Sequence, residues 1–175
     1  MRILLAAALF AALAGCSETS APAADAEPSL TPRGAYNAAT ANAQYLAGNM
    51  RIERAGVLFD NGVALFTRTL EPLRGADLIA RDGDSYAAAA FGSSDLNVEL
   101  RRVTEETSSA DGRKLCGDDP VEYVAFVYDA RATSLTLLAF TGAEPPGPNA
   151  TQSRICVRLG YAAPHGARTR EGVVL

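Results

Sequence analysis

An Asn-Gly dipeptide between two short apolar runs is the feature that most restricts the fold of this chain. Asn61-Gly62 separates Val57-Leu58-Phe59 from Val63-Ala64-Leu65-Phe66. Asn and Gly readily adopt the positive φ angles that tight hairpin turns require. The segment therefore predicts two antiparallel strands joined by a tight turn.

The region from Gly34 to Tyr161 continues in the same manner. Val121 to Tyr128 and Ser134 to Phe140 are apolar at both odd and even positions, which is typical of central strands. Further strands are predicted as follows: a second hairpin formed by Asp77 to Ala80 and Ser85 to Phe91, a strand with one solvated face around Leu96 to Arg101, and a last strand from Ile155 to Tyr161.

Between these segments, Glu105 to Arg113 and Gly142 to Asn149 are predicted loops, and Ala35 to Ala47 is predicted to contain one short helix. About seven or eight short strands without alternating helices are typical of all-β domains. The predicted fold is a small antiparallel β-barrel or sandwich with at most one short N-terminal helix.

The first sixteen residues have the layout of a bacterial export signal. Arg2 precedes an uncharged run from Ile3 to Leu13, which is too short to cross a hydrocarbon core of about 30 Å. Leu13-Ala14-Gly15-Cys16 resembles the lipobox of bacterial lipoproteins, in which the signal peptide is removed before the cysteine and the cysteine is acylated. The resemblance implies lipidation of Cys16 and membrane attachment through its acyl chains. Ordinary secretion with cleavage after Ala14 is the alternative.

The composition predicts one domain behind a spacer. Residues 1–15 form the signal peptide, 16–33 the lipidated Cys16 and a polar, proline-containing tether, 34–163 a single β domain, and 164–175 a loose tail. Ser17 follows Cys16 where some bacteria place an Asp that retains lipoproteins at the inner membrane. We therefore expect a bacterial envelope location, at the outer membrane and facing the periplasm.

The two cysteines left after lipidation, Cys116 and Cys156, are an even pair in an exported chain. An oxidising compartment favours a structural disulfide between them. A metal site is not expected, because two thiols and one His fall short of four ligands at a recognisable spacing. No cofactor is predicted.

Known catalytic patterns find little support in the sequence. The one His, His165, lies in the tail without a nucleophile motif near it. Three acidic pairs remain, namely Asp82 with Asp84, Glu105 with Glu106, and Asp118 with Asp119, all in predicted turns or loops. A net charge of −4 also makes nucleic acid an unfavourable partner. We therefore expect a protein that is not an enzyme.

The segment Asp82-Gly83-Asp84-Ser85-Tyr86 is similar to the loop motif of membrane-bound inhibitors of c-type lysozyme, roughly Ser-Gly-x-x-Tyr. Those inhibitors are eight-stranded barrels that insert this loop into the lysozyme cleft, with a Lys-Gly element from a second loop. Phe91-Gly92-Ser93 stands at the place of that second element, with Phe91 instead of Lys. The resemblance implies that residues 82–86 bind a partner, whereas an ordinary turn explains the same residues without one.

Three functions remain open from the sequence. The leading hypothesis is a lipid-anchored envelope protein whose β domain is a binding or inhibitor module, with lysozyme or another envelope protein as its partner. The first alternative is a structural or assembly factor of the envelope, which would bind through a strand edge or an apolar patch. The second is a hydrolase that uses two carboxylates.

Overall fold

Eight antiparallel strands, each hydrogen-bonded to its neighbours in the sequence, close into a barrel in the computed structural model. The structure describes residues 31–164, so Cys16, most of the predicted tether and His165 lie outside the described residues. The strands are β1 Gly34–Ala38, β2 Met50–Ile52, β3 Gly56–Phe59, β4 Ala64–Arg74, β5 Asn97–Thr107, β6 Tyr123–Tyr128, β7 Ser134–Thr141 and β8 Arg154–Ala162. The helices within residues 31–164 are α1 Ala41–Leu46 and α2 Tyr86–Ala89.

The predicted mainly β fold is confirmed. Of the two predicted arrangements, barrel and sandwich, the structure has the barrel. The Asn-Gly turn joins β3 to β4, with Leu58 opposite Ala64 and Gly62 at φ 90°. Asn61 Oδ1 accepts a hydrogen bond from the Val63 N–H at 3.0 Å, which holds this turn. Closure is made by β1 and β8, where Asn37 pairs with Ala162 and Ala38 with Tyr161.

The N-terminal helix is shorter than predicted, because the first part of Ala35 to Ala47 is strand β1. Helix α1 begins after Thr40, whose Oγ1 caps it by accepting the Ala43 N–H. The same Oγ1 also accepts the N–H of Gly160 on β8 at 3.1 Å. A Cβ at position 160 would lie 2.5 Å from Thr40 Cγ2, so glycine permits this close approach.

The second predicted hairpin is wrong. Between β4 and β5 the chain leaves the barrel over residues 75–96, and only one isolated bridge, between Leu78 and Ser85, joins the two predicted strands. Ser85 instead caps α2 by accepting the Ala88 N–H at 3.2 Å. Alanine has the highest helix propensity, so the run of four alanines after Tyr86 forms a helical turn rather than a strand.

Strand β5 also differs from the prediction. It continues through Glu105 to Thr107, which were predicted to be loop. Its polar residues Asn97, Glu99 and Arg101 are buried, although the sequence pattern predicts a solvated face there. They point into the barrel because the other face of β5 packs beneath residues 75–96.

Two apolar clusters lie on the two faces of the β5–β7 part of the wall. The larger fills the barrel and includes Tyr36, Leu65, Phe126, Leu137 and Leu159. The smaller lies outside the barrel and includes Ile79, Tyr86, Leu100, Leu138 and Phe140. We call the segments 75–96 and 142–150, which cover this smaller cluster, the outer layer.

Candidate functional site

An open groove of about 1020 Å³ lies where the outer layer meets the barrel wall. The second half of β4 and Leu100 of β5 form one side, and two segments of the outer layer form the other. Its lining is apolar except for Thr69, Glu71 and Asp77. The lining residues are Thr69, Leu70, Glu71, Pro72, Leu73, Ala76, Asp77, Leu78, Leu100, Pro146, Gly147 and Pro148.

Backbone hydrogen bonds between the two loops of the outer layer fix the shape of this groove. The Gly147 N–H donates to the Ile79 carbonyl at 2.7 Å, and the Arg81 N–H donates to the Ala150 carbonyl at 3.0 Å. At the end of β4, Asp77 Oδ2 accepts the Arg74 N–H at 2.7 Å. The groove is therefore part of the folded structure and does not require a ligand to form.

The outer layer and the adjoining end of β4 are acidic. Within residues 70–96 and 142–150 there are six acidic side chains and two basic ones. The acidic residues are Glu71, Asp77, Asp82, Asp84, Asp95 and Glu144, and the basic ones are Arg74 and Arg81. An apolar groove with two carboxylates in its lining and more around it favours an apolar ligand that also carries positive charge.

The predicted partner-binding loop is divided by the fold. Asp82, Gly83 and Asp84 are exposed at the end of a turn, with Asp82 at φ 56°, and Ser85 is half-buried as the cap of α2. Tyr86 is fully buried in the outer cluster, with its ring edge against Phe140. Burial, together with the nearby charge of Asp77, raises the pKa of the Tyr86 hydroxyl.

This burial corrects the expectation for Tyr86. Its hydroxyl donates to the Pro146 carbonyl at 3.4 Å, so the side chain holds the wall of the groove and cannot insert into a partner. The exposed aromatic residue of this region is Phe91, at 83% exposure and with φ 55°. Its ring lies over the guanidinium of Arg158 on β8, with 4.1 Å from Arg158 Cζ to the ring centroid.

An ion pair inside the barrel was missed by the sequence analysis. Arg101 has no exposed surface, and both its Nε and its Nη2 lie 2.8 Å from Glu99 Oε1. Its guanidinium also lies over the ring of Phe126, 4.9 Å from Cζ to the centroid. Burial lowers the pKa of Arg101, and the charge of Glu99 opposes that shift. Strict alternation of charged and apolar residues in β5 was the available signal, but it does not tell which face is inward.

A smaller pocket of about 270 Å³ lies at the end of the barrel beside this ion pair, and we call it the mouth pocket. Arg33, just before β1, lies there with its Nη1 3.6 Å from Glu99 Oε1. The mouth pocket and the groove share Thr69, Leu70 and Pro72 in their linings, so the two are neighbours.

The predicted disulfide is confirmed. Cys116 and Cys156 are bonded, with their Cα atoms 5.6 Å apart, and the bond ties the loop after β5 to β8. Glu106 organises that same loop, since its two carboxylate oxygens accept the N–H groups of Leu115 and Val121 at 3.0 and 3.1 Å.

The acidic pairs singled out in the sequence lie in three different places, namely the turn at 82–84, the end of β5 and the loop at 118–119. Asp82, Asp84, Asp118, Asp119 and Glu105 are exposed, and Glu106 is engaged as described. Within residues 31–164 no group of three or more His, Cys, Asp or Glu side chains has a geometry that could hold a metal ion. In that same part of the chain, neither α1 nor α2 has the length and hydrophobicity of a membrane-spanning helix.

Comparison with known proteins found no matching family model, no matching curated protein and no matching solved structure.

Proposed function

We propose that this chain is a lipid-anchored protein of the bacterial cell envelope whose barrel is a non-enzymatic binding module for an apolar, basic segment of a partner protein. Cys16 would carry the anchor, and the groove of the outer layer would receive the partner. The observation that carries the proposal is an apolar groove of about 1020 Å³ within an acidic surface.

The partner's chemistry follows from the lining. Leu70, Leu73 and Leu78 offer apolar surface to solvent at the groove, and burying such surface stabilises a complex by roughly 25 cal/mol per Å². Glu71 and Asp77 stand in the same lining, so a Lys or Arg beside the partner's apolar residues would meet opposite charge. An acidic partner segment would be repelled.

The groove favours the function of a binding module or assembly factor over that of a lysozyme inhibitor. An inhibitor of the kind suggested by residues 82–86 needs a protruding Tyr, and Tyr86 is buried. Insertion of a partner strand between β1 and β8 is also disfavoured, because these two strands pair with each other where the barrel closes. Side-chain docking in the groove remains as the mode of binding.

The binding test compares two exposed leucines, Leu78 in the groove and Leu58 outside it. The full chain carrying Cys16→Ser, to remove acylation, is titrated with a fluorescent peptide of Lys and Leu residues. Leu78→Lys places a cation in the groove and should weaken binding by about tenfold or more. The matched control Leu58→Lys lies on strand β3, outside the groove, with 45% exposure against 38% for Leu78, and should leave the affinity unchanged within about twofold.

A second peptide, with Glu in place of Lys, tests the charge. We expect it to bind at least about tenfold more weakly than the Lys peptide. Equal binding of the two peptides, or equal losses in Leu78→Lys and Leu58→Lys, would contradict the proposal.

The anchor is tested separately. The wild-type chain produced in a bacterium should carry the mass of acyl chains on Cys16 and sediment with membranes, and Cys16→Ser should lose both properties. Retention of the Cys16→Ser variant in the membrane fraction would overturn the anchor but leave the groove test intact.

A further inference from the structure

The carboxylate of Glu99 has one oxygen engaged and one without a partner. Oε1 faces Arg101 at 2.8 Å, and it also accepts a hydrogen bond from Thr69 Oγ1 at 3.3 Å. Oε2 is buried and has no hydrogen-bond partner within the described residues. The Glu99 side chain is only 8% exposed, so bulk solvent does not supply the missing donor.

Glu99 lines the mouth pocket together with the polar side chains of Thr31, Arg33 and Thr69. Leu70, Pro72 and Val98 supply apolar walls, and Tyr128 supplies an aromatic one. A space of about 270 Å³ suits a ligand group smaller than a typical whole ligand, which occupies about 300–1,000 Å³. The pocket therefore combines an apolar wall with one unsatisfied acceptor.

The charges around Glu99 restrict what the ligand group can be. Arg33 and Arg101 both lie within 4 Å of Glu99, so two guanidinium groups already face this carboxylate and disfavour the approach of a further cation. A ligand anion would bring a second acceptor towards Oε2 with no proton to share. A neutral N–H or O–H donor satisfies Oε2 without either cost.

We infer that the mouth pocket is a binding subsite for a neutral hydrogen-bond donor on an apolar body, such as an indole ring, with Glu99 Oε2 as the acceptor. The inference rests on the proposed function in one respect: the partner segment in the adjoining groove would supply that group, for instance as a Trp side chain. The subsite itself can be tested with small molecules alone.

Two probes of the same shape isolate the hydrogen bond. Indole presents an N–H where benzofuran presents an oxygen that can only accept. In an NMR titration of the ¹⁵N-labelled full chain carrying Cys16→Ser, indole should shift the amide signals of Thr69 and Val98, and should bind at least about fivefold more tightly than benzofuran. N-methylindole, which lacks the donor, should behave like benzofuran.

The variant Glu99→Gln should remove or reverse this preference. Arg101 would hold the amide oxygen at the position of Oε1, which places the NH₂ group where Oε2 was and turns the acceptor into a donor. Glu105→Gln, an exposed carboxylate on the same strand, is the matched control and should keep the wild-type preference. The folded state of both variants is checked from their amide spectra.

Equal affinity of indole and benzofuran for the wild-type chain would overturn the inference, as would shifts confined to residues away from the mouth pocket. This comparison needs no variant, so it decides the matter even if Glu99→Gln does not fold. Loss of peptide binding in Leu78→Lys together with equal binding of the two probes would mean that the groove binds a partner and the mouth pocket does not. Unchanged peptide binding in Leu78→Lys together with tighter binding of indole than of benzofuran would support the subsite and contradict the proposed function.

Discussion

The barrel interior and the outer layer are both apolar clusters, but they are covered in different ways. The interior cluster contains twenty-two buried residues, most of them on the barrel strands. The outer cluster contains ten and is covered by loops and the one-turn helix α2. Strand β6 is buried along its whole length because its alternate residues enter the two clusters in turn.

If the groove binds a partner as proposed, one sheet serves both stability and binding. Strands that hydrogen-bond to their neighbours satisfy one another's backbone groups, so they can cover an apolar interior evenly. Loops cannot cover an apolar surface as evenly, and the outer layer leaves Leu70, Leu73 and Leu78 partly open at the groove. We therefore expect the interior to determine the global stability and the outer layer to determine binding.

The strongest test of this division replaces one phenylalanine in each cluster. Phe126 and Phe140 both have no exposed surface. Phe126→Ala should destabilise the protein by about 4–5 kcal/mol, since the rigid barrel cannot collapse onto the cavity and Arg101 loses its aromatic neighbour. Phe140→Ala should cost less, about 3 kcal/mol, because loops relax more easily.

Urea unfolding followed by far-UV circular dichroism measures both changes. Phe140→Ala should in addition weaken binding of the Lys–Leu peptide, because Phe140 supports Tyr86 and, through it, Pro146. If Phe140→Ala lowers the free energy of unfolding more than Phe126→Ala does, the interior cluster does not determine the global stability as argued.

Removing the disulfide tests the same comparison by changing the barrel and not the outer layer. It closes a loop of 40 residues and lies next to the interior cluster, against which Cys116 packs. Replacing both cysteines with alanine should lower the free energy of unfolding by about 3–4 kcal/mol, mainly by releasing the unfolded chain. Peptide binding should not change, since the groove is formed by other segments.

The measurement is again urea unfolding of the oxidised wild-type chain and the double variant, with free-thiol labelling to establish the starting state. An altered peptide affinity in the folded double variant would show that the disulfide shapes the groove. Stability and binding would then not depend on separate parts of the molecule.

The turn between β6 and β7, at the same end of the barrel as the mouth pocket, provides a test in which the free energy of unfolding depends on pH. Asp129 accepts hydrogen bonds from Thr133 Oγ1 at 2.6 Å and from the Ser134 N–H at 2.8 Å, in the turn between β6 and β7. Burial alone would raise the pKa of Asp129, but its hydrogen bonds, to Arg131 as well as to Thr133 and Ser134, together lower it below the ordinary value. Asp129→Asn puts an NH₂ group against these donors and should cost about 1–2 kcal/mol at pH 7.

The sign of the pH effect follows from the lowered pKa. The stabilisation is fully present above the unfolded-state pKa of about 3.9, and it is lost as the pH falls through the lower folded-state value. The stability difference between the wild-type chain and Asp129→Asn should therefore shrink below about pH 4. A difference that stays constant down to pH 2 would show that the carboxylate charge does not matter in this turn.

Local sequence signals predict the barrel better than they predict the groove. Asn61-Gly62 sets its turn through its own backbone preference, and the β6 and β7 sequences are apolar enough to be central strands in any all-β arrangement. Glu99 and Arg101 alternate with Val98 and Leu100 as in a strand with one wet face. Only the packing of residues 75–96 on the apolar side turns the charged side inward, and that packing is a tertiary contact that the alternating pattern of β5 does not encode. The groove was missed for the same reason, because Leu73, Leu100 and Pro146 share no sequence pattern.

The smallest effect concerns the cap of α2 and tests whether the outer layer opens on its own. Ser85 Oγ accepts the Ala88 N–H at 3.2 Å, and a Ser→Ala change at a helix cap typically costs about 1 kcal/mol. If the outer layer unfolds locally, Ser85→Ala should speed hydrogen exchange about fivefold at the amides of Ala89 and Ala90, which donate within this turn. The amides of Val124 and Leu137 inside the barrel open only in global unfolding, which also loses the cap, so their exchange should accelerate by a similar factor. If the outer layer opens on its own, the free energy of opening at Ala89 and Ala90 should be lower than at Val124 and Leu137 in both proteins, and it should depend less steeply on urea. Equal opening free energies at these four amides would mean that α2 and the barrel unfold as one cooperative unit.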